Sequence, residues 1–438
     1  MADTLFAEDY KPTPYWWDQA PLDQSPNPDL PTEIDVVIVG AGYTGLHAAL
    51  QTARAGLSTL VVDAEEAGFG CSSRNGGQIS TSIKFGYNQL SKRYGDSLAR
   101  DILAIGKASL DYVAEFVHNE NIDCNFDVSG RFHGAHNKRA YQRLAAELEE
   151  PNPVYDSGAF LVPPQDTRSE LGTNRYHGGL VQPHFASLHP ARYHAGCLQR
   201  VKEAGATVIS HCAVQGINKE SSGRFSVNTA SGQVNARRVI VATNGYTGAL
   251  TPWQQRRVIP IGSYIIATEV IDSALMQKLF PTKRMIVDSR KLVYYYRPSP
   301  DHKRVLFGGR VSLTETNPSK SGPKLHADMV ELFPELATTK ISHSWAGTVA
   351  YTFDKLMHCG EENGLHYAMG YCGSGVGMAS YLGRCIGQQV AETGRDDLAL
   401  PELALSKIPF PTRPLYNGTP WFLAPTVWLY RMQDRSGR

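Results

Sequence analysis

Gly40, Gly42 and Gly45 stand in the spacing G-x-G-x-x-G, and an acid, Asp63, follows 23 positions after the first of them. Residues of these types at this spacing suit the binding of a dinucleotide. The first glycine permits a tight turn, the second lets backbone approach a pyrophosphate, and the third lets a helix pack close to a strand. Amides at the helix N-terminus suit phosphate, while a carboxylate at Asp63 can accept hydrogen bonds from ribose hydroxyls. The acid favours the unphosphorylated adenosine ribose of FAD or NAD over that of NADP. A bare glycine pattern says little in a chain with 40 glycines. The flanking elements must therefore carry the reading.

They do. Val36, Val37, Ile38 and Val39 form a β-branched run, the pattern of a strand buried on both faces of a parallel sheet. Leu46, Ala49, Leu50 and Ala53 then share one helical stripe, and Gly56 stands where a left-handed cap belongs. An apolar strand over 57–62 leads into Asp63. Residues 34–63 thus read as strand, glycine turn, helix, strand. Next comes a loop of Gly68, Gly70, Ser72, Ser73, Arg74, Asn75, Gly76 and Gly77, too small in side chain to pack a core. It reads either as a plain surface turn or as a place where backbone and an arginine approach something flat or phosphorylated. A second strand-to-helix turn lies far away: Leu365–Met369, then Gly370, Gly373, Gly375 and Gly377, then a helix with Val376, Ser380, Gly383, Gly387 and Val390 on one face. Its N-terminus can face the electron-rich edge of a ligand. Two such turns suit the length of FAD better than that of NAD.

The intervening pattern predicts helices over 96–121 and 137–149. A second αβ passage follows from 191, with a helix ending at Gly205 and a strand at Thr207–Ile209. A hairpin of Phe225–Thr229 with 233–236 precedes a buried strand at 238–243, which ends in Asn244 and Gly245 where ligands meet open α/β sheets. From 258 to 311 the period changes to two, which predicts an inserted antiparallel sheet. The aromatics Tyr15, Trp16 and Trp17 in the Pro-rich segment 1–33 predict an arm pinned to the surface, or else a partner-binding segment. Forty-three basic and forty-two acidic residues give a net charge of +1, no field for nucleic acid or an anionic membrane. Seven scattered cysteines point to reduced thiols in the cytoplasm rather than a disulfide framework or a metal site. There is no signal-peptide pattern and no apolar run of 18 residues, so no span is expected. The tail, 401–438, carries a short apolar stretch before Arg431 and Arg435. It is expected to pack on the domain or, alternatively, to touch a membrane interface and pass electrons to a quinone.

The stretches VVIVGAGYTGL, SSRNGGQ, RVIVATNGY and WAG (345–347) followed by GYCGSGVG resemble the D-amino-acid-oxidase-type flavoproteins, and most of all their gamma-glutamylputrescine oxidase-like branch. The likeness runs in order from about residue 30 to about residue 400. It implies an α/β fold, a Rossmann-like FAD-binding domain of the glutathione-reductase type with an inserted, mainly antiparallel substrate domain that also carries helices. The FAD-binding segments fall at 30–95, 155–255 and 345–400, and the substrate-domain segments at 96–154 and 256–344, with a tail helix in 401–438. By this resemblance FAD lies between the two glycine turns. Gly40, Gly42, Tyr43, Thr44 and Gly45 meet its phosphates, and Asp63 with Ala64 its ribose. Ser72, Ser73, Arg74, Asn75, Gly76, Gly77 and Gln78 line the pyrophosphate and ring, and Val214 the adenine. Thr243, Asn244, Gly245, Trp345 and Gly347 complete the cradle, while Gly373, Ser374, Gly375, Val376, Gly377 and Met378 face the pyrimidine edge. Covalent relatives carry a flavin-linking cysteine before the last glycine turn. Here Cys359 lies nearby in a different context, so FAD is expected to be non-covalent. Gly377 and Met378 stand where sarcosine oxidases keep a carboxylate-binding lysine, which counts against sarcosine as substrate.

The implied chemistry is FAD-dependent oxidation of a C–N bond in an amine or amino acid, by hydride transfer to flavin N5. Candidates are gamma-glutamylputrescine-like amines and secondary or cyclic amino acids such as pipecolate, with O2 or a respiratory carrier as acceptor. The alternatives are an electron-relay flavoprotein subunit and an NAD-dependent dehydrogenase. Amine oxidation needs orientation more than protein acids, so an aromatic, sparsely charged site is expected under the antiparallel sheet. Tyr264, Tyr294 and Tyr296 are candidates there. Alternation puts Tyr295 on the face opposite Tyr294 and Tyr296, so only one set faces the flavin, and ordinary sheet packing is the competing role. Arg310 or Arg297 is the candidate partner for a substrate carboxylate, against a surface salt bridge. Lys291 matches loosely a lysine that relatives keep near flavin N5. His343, Trp345 and Tyr351 can close the pocket. No metal site is expected.

Overall fold

Val36 and Ile38 pack against helices, while Val37 and Val39, one residue out of phase, pack against a β-meander on the other side. A strand buried on both faces needs this arrangement, and the β-branched run provides it. The computed structural model describes residues 5–309, 317–392 and 403–436. In it the strand Glu33–Val39 lies between Thr59–Val62 and Gly232–Val241, in parallel with both. Thr207–Ile209 extends this sheet in parallel beyond Thr59–Val62, and Leu365–Met369 pairs in parallel with Gly232–Val241 at the other side. Gly232–Val241 is one continuous strand. Its first half forms the expected hairpin with Phe225–Thr229, and its second half enters the parallel sheet.

The helices Tyr43–Arg54 and Gly375–Glu392 cross in backbone contact. A Cβ on Gly383 would lie 2.4 Å from the Thr44 carbonyl oxygen, and one on Gly387 would lie 2.5 Å from that of Ala48. The glycine stripe of the last helix is therefore a docking surface for the first, and it brings the two distant glycine turns side by side. Asp96–Asn119 and Pro190–Glu203 complete this layer. Between them His47 is buried, with Nδ1 2.8 Å from the Tyr112 hydroxyl and Nε2 3.0 Å from that of Tyr193.

Among the described residues a second sheet has nine strands, mostly antiparallel. Its spatial order is Phe6–Lys11, Ile341–Tyr351, Ile259–Thr268, Val305–Gly309, Tyr295–Pro298, Met285–Asp288, Arg131–Gly134, Gly179–Gln182 and Phe160–Val162. Two points differ from the expected division of the chain. Residues 160–182, assigned from sequence to the nucleotide-binding part, pair in this larger sheet, and so does 345–351. Phe132 and Val181 share its core and account for the first. The helix Pro318–Leu332 covers one face through Leu325, Met329 and Leu332. The other face looks back across the glycine turns.

Candidate functional site

A cavity of about 1100 Å³ runs from Asp63, between the two glycine turns, to the uncovered face of the nine-stranded sheet. It is larger than the roughly 300–1,000 Å³ of an ordinary small-ligand pocket. At one end Gly40, Gly42, Tyr43, Thr44, Asp63, Ala64 and Val214 line it, together with Thr243 and Asn244. Gly40 adopts φ +108°, and a Cβ there would meet the Ala242 carbonyl oxygen at 2.9 Å. One Asp63 oxygen accepts the Ala41 amide at 2.7 Å and the other the Glu65 amide at 3.1 Å, which leaves acceptor capacity on the cavity side. Burial pushes the Asp63 carboxyl above its usual range, against the pull of those amides. The Asn244 side chain accepts the Gly370 amide at 2.9 Å and so ties the ends of two parallel strands together.

The middle of the cavity is floored by the short helix Cys71–Arg74 and the residues that follow it. Ser72 Oγ accepts the Tyr43 amide at 2.9 Å, at the N-terminus of the first helix. Arg74 is held on three sides: Nε to Gly70 O, Nη1 to Ala346 O at 2.9 Å, and Nη2 to the Tyr246 hydroxyl at 2.8 Å. The N-terminal arm clasps the same loop, with Trp16 Nε1 on Asn75 O at 2.9 Å and Trp17 Nε1 on Ser73 Oγ at 2.8 Å. Ser72, Arg74, Asn75, Gly76 and Gln78 line the cavity, as do Trp345, Gly347, Gly373, Ser374, Gly375 and Val376.

Six expected cofactor residues support the cradle from behind rather than line it. Gly45 faces the Gly40 carbonyl, Gly77 that of Leu188, Gly245 that of Thr348 and Gly377 that of Ser109. Ser73 is buried with Oγ on Gly68 O, and Met378 is buried in the helix-side core. Close approach of backbone to backbone, not to a ligand, is what these positions require.

The substrate-side expectations need more correction. Tyr264 and Tyr296 are buried among Phe132, Phe307 and Phe333 on the helix-covered face, and Tyr294 packs against the same cluster. The helix Pro318–Leu332 claims that face for the core, so alternation brings Tyr295 to the cavity instead. There its hydroxyl lies 2.8 Å from Ser263 Oγ. Lys291 is exposed and held by the C-terminal helix, with its ammonium on Gln433 and its amide on Asp434 at 2.9 Å. Lys291 itself turns toward Leu423–Ser436, although Val293 in the same loop lines the cavity. Arg297 is buried, with Nη1 on the carbonyls of Gly77 and Leu188, so it is neither a surface salt bridge nor a cavity residue. Arg310 lies outside the described residues. His343 pairs with Asp18 at 3.0 Å behind the cavity, whereas Tyr351 lines it.

The sequence reading missed Arg131, His133 and Gln182. They occupy the cavity face of Arg131–Gly134 and Gly179–Gln182, beside Val287 on the neighbouring strand. Polar residues alternating with Phe132 were the available signal, in a strand too short to stand out. Burial, with the nearby Arg131 charge, pushes His133 down to about 3, so its ring is neutral.

These features fit FAD. A glycine cradle and an acid with spare acceptor capacity meet the adenosine and phosphates, and a second glycine turn opens the helix Gly375–Glu392 at the far part of the same cavity. A two-layer nucleotide-binding unit joined to a curved antiparallel sheet, with the ligand cleft between them, defines the class as a flavin-binding oxidoreductase.

The comparisons with known proteins agree. Residues 35–389 match the family described as FAD dependent oxidoreductase, and the chain belongs to that family. It is 32% identical over 428 residues to the probable oxidoreductase OrdL of Rhizobium meliloti (strain 1021), covering 96% of this chain and 97% of that one. It is 31% identical over 356 residues to the gamma-glutamylputrescine oxidoreductase of Escherichia coli (strain K12), covering 81% and 83%. The glycine oxidase from Geobacillus kaustophilus superposes with a TM-score of 0.69 at 18% identity, over 86% of this chain and 100% of that one. The protein is an FAD-dependent oxidoreductase. Among the described residues, no helix is long and apolar enough to cross a membrane.

Proposed function

We propose that this enzyme oxidises a C–N bond of an amine or amino acid, giving an imine that water hydrolyses to a carbonyl compound. One observation carries the reading: the cavity continues past the glycine turns to a wall that presents Ile265, Tyr295 and Trp345 and, further along the sheet, a neutral His133, with Arg131 and Asp288 as the charged residues of that wall. When bound, FAD supplies a two-electron acceptor for the carbon next to nitrogen. The chain's own residues hold, orient and exclude. Asp63 and the amides around Gly42 hold the adenosine half, and the N-terminus of Gly375–Glu392 offers positive potential to the ring's electron-rich edge. Tyr295, Trp345 and Ile265 form a dry wall against which a neutral amine is oriented, and orientation supplies most of what such a reaction needs. His133, neutral at physiological pH, places no positive charge beside the amine.

Gamma-glutamylputrescine-like amines and secondary or cyclic amino acids such as pipecolate are the substrates to try, in keeping with the names of the relatives above. FAD is held without a covalent bond. Cys359, which lies in the stretch before the last glycine turn where covalent relatives carry their flavin-linking cysteine, is buried in the helix-side core. The acceptor is O2 or a respiratory carrier, with the enzyme in the cytoplasm. Exposed Trp421, Trp428, Leu429 and Met432 on and beside the helix Leu423–Ser436 offer an apolar surface for a membrane-held acceptor. The test is the purified yellow protein with an amine panel, in air and without it. Bleaching by an amine in the absence of air supports the reading, and recolouring in air assigns O2 as acceptor. A flavin that no amine reduces, though dithionite does, overturns it.

A further inference from the structure

Arg131 is a cation in the cavity wall that makes no ion pair among the described residues. It opens the strand Arg131–Gly134, whose even positions are committed to the core through Phe132, so its side chain is directed to the cavity face by the pleat. Its position there is fixed. Nε donates to Gln182 Oε1 at 2.9 Å on the paired strand, and the guanidinium carbon lies 4.6 Å from the centroid of the Phe185 ring. Those contacts use one of five N–H donors and leave the two terminal amino groups, the fork that grips a carboxylate, without a protein acceptor among the described residues.

The comparison with Arg74 is instructive. Arg74 also lines the cavity, but its three nitrogens are spent on Gly70, Ala346 and Tyr246, so it laces the loop to the sheet. Lys84, the remaining lysine or arginine among the described lining residues, is exposed at the rim. Of the lining acids on this side, Glu147 is exposed and Asp288, on the neighbouring strand, is paired with Arg290. Burial without a compensating carboxylate lowers the Arg131 guanidinium to about 10, so it stays charged at physiological pH. A desolvated cation costs free energy unless an anion joins it. The fold holds this one in place with an amide and an aromatic ring and offers its fork to whatever enters.

We propose that Arg131, aimed by Gln182 and Phe185, is a carboxylate-binding subsite that selects amine substrates bearing a carboxylate. This rests on the reading of the cavity as an amine-oxidation site. The ligand class is an aliphatic amine or amino acid with a carboxylate able to reach the wall formed by Arg131–Gly134 and Gly179–Gln182.

The experiment compares matched amines that differ only in a terminal carboxylate, such as 4-aminobutanoate with n-butylamine, on wild type, Arg131→Met and Arg131→Lys. Glutarate serves as a non-oxidisable probe, read as a perturbation of the bound flavin's visible spectrum. Flavin content and melting temperature are measured on the same samples. In wild type the carboxylate-bearing amine is expected to have the higher kcat/KM. In Arg131→Met that ratio should fall roughly 10- to 100-fold, mainly through KM, with glutarate affinity falling in parallel and Arg131→Lys recovering part of both. Equal kcat/KM for the paired amines in wild type, or glutarate binding unchanged in Arg131→Met with flavin retained, overturns the subsite while leaving amine oxidation in place. If no amine reduces the flavin, the functional reading fails separately, and glutarate still reports on Arg131. Should Arg131→Met fail to fold, Arg131→Lys and Gln182→Ala carry the same two readouts. A fall of the kcat/KM ratio and of glutarate affinity below wild type, partial in Arg131→Lys, supports the subsite, and wild-type values of both in both variants overturn it.

Discussion

The indole Nε1 of Trp345 donates to the carbonyl of Arg74 at 2.7 Å, and Arg74 Nη1 donates to the carbonyl of Ala346, the next residue along the strand, at 2.9 Å. The pair stitches the glycine loop of the nucleotide side to the strand Ile341–Tyr351 of the sheet roofing the cavity. Trp345→Phe keeps the ring but leaves a buried carbonyl unpaired, at a cost of about 1–3 kcal/mol. Flavin is expected to bind about tenfold more weakly, read by reconstituting the stripped protein with FAD. An unchanged dissociation constant would show that the loop is held without this bond.

Gly45 and Gly205 make a contrasting pair. A Cβ on Gly45 would lie 1.9 Å from the Gly40 carbonyl oxygen, a backbone atom that cannot swing aside, with the Ile38 side chain 3.3 Å away. Gly205, at φ +88°, has nothing within 4 Å of that position. Gly45→Ala should yield protein with little or no bound flavin. Gly205→Ala should keep its colour and lose only about 1–2 kcal/mol to left-handed strain. Flavin-to-protein absorbance ratios and denaturant melts separate the two.

Tyr295 and Tyr296, adjacent in sequence, should fail in different ways. Tyr295→Phe removes a hydroxyl at the cavity face, bonded to Ser263, and is expected to alter KM or kcat with melting little changed. Tyr296→Ala empties a space among Phe280, Phe307 and Phe333 and removes the hydrogen bond to the Tyr176 hydroxyl, 3.0 Å away. Its cost should reach about 3–5 kcal/mol, measured by urea unfolding. The opposite pattern would reverse the assignment of the two faces.

Acid should unfold the protein through its buried histidines. Burial lowers His47 and His189 to about 3 each. The folded state therefore binds fewer protons than the unfolded chain between about pH 3 and 6.5. Stability is complete above about pH 6.5 and is lost as the pH falls through that window. Each residue should cost roughly 1–2 kcal/mol by pH 5. His47→Leu will be less stable at neutral pH, because the hydroxyls of Tyr112 and Tyr193 each lose a hydrogen bond, Tyr193 keeping its bond to Ser380. Its unfolding free energy should nevertheless depend less steeply on pH between 5 and 7, and an equal slope would remove His47 from the account.

Much of the nucleotide half was legible in the chain. Gly40, Gly42, Gly45 and Asp63 have local geometry that their spacing dictates, and a run such as 36–39 can only be a strand covered on both sides. The second turn, at Gly373 and Gly375, was legible for the same reason: tight turns and helix starts are short-range events. The N-terminal arm was readable as pinned, but its grip on Asn75 and Ser73 joins residues more than fifty positions apart, and no local pattern encodes that.

The chain by itself determined a dinucleotide cradle and the existence of a period-two sheet, because both follow from spacings within a few tens of residues, while FAD was read from a second such turn far along the chain and from the family resemblance. Only the tertiary structure decided which side of that sheet faces the ligand. Alternation defines two faces and is silent about their fates, which were settled when Pro318–Leu332 packed on one of them. That one event buried Tyr264 and Tyr296 and turned Tyr295, His133 and Arg131 toward the cavity. Arg297 went to the carbonyls of Gly77 and Leu188, and Lys291 to the C-terminal helix. Each of these outcomes depends on which distant neighbour arrives, and that is a property of the assembled chain.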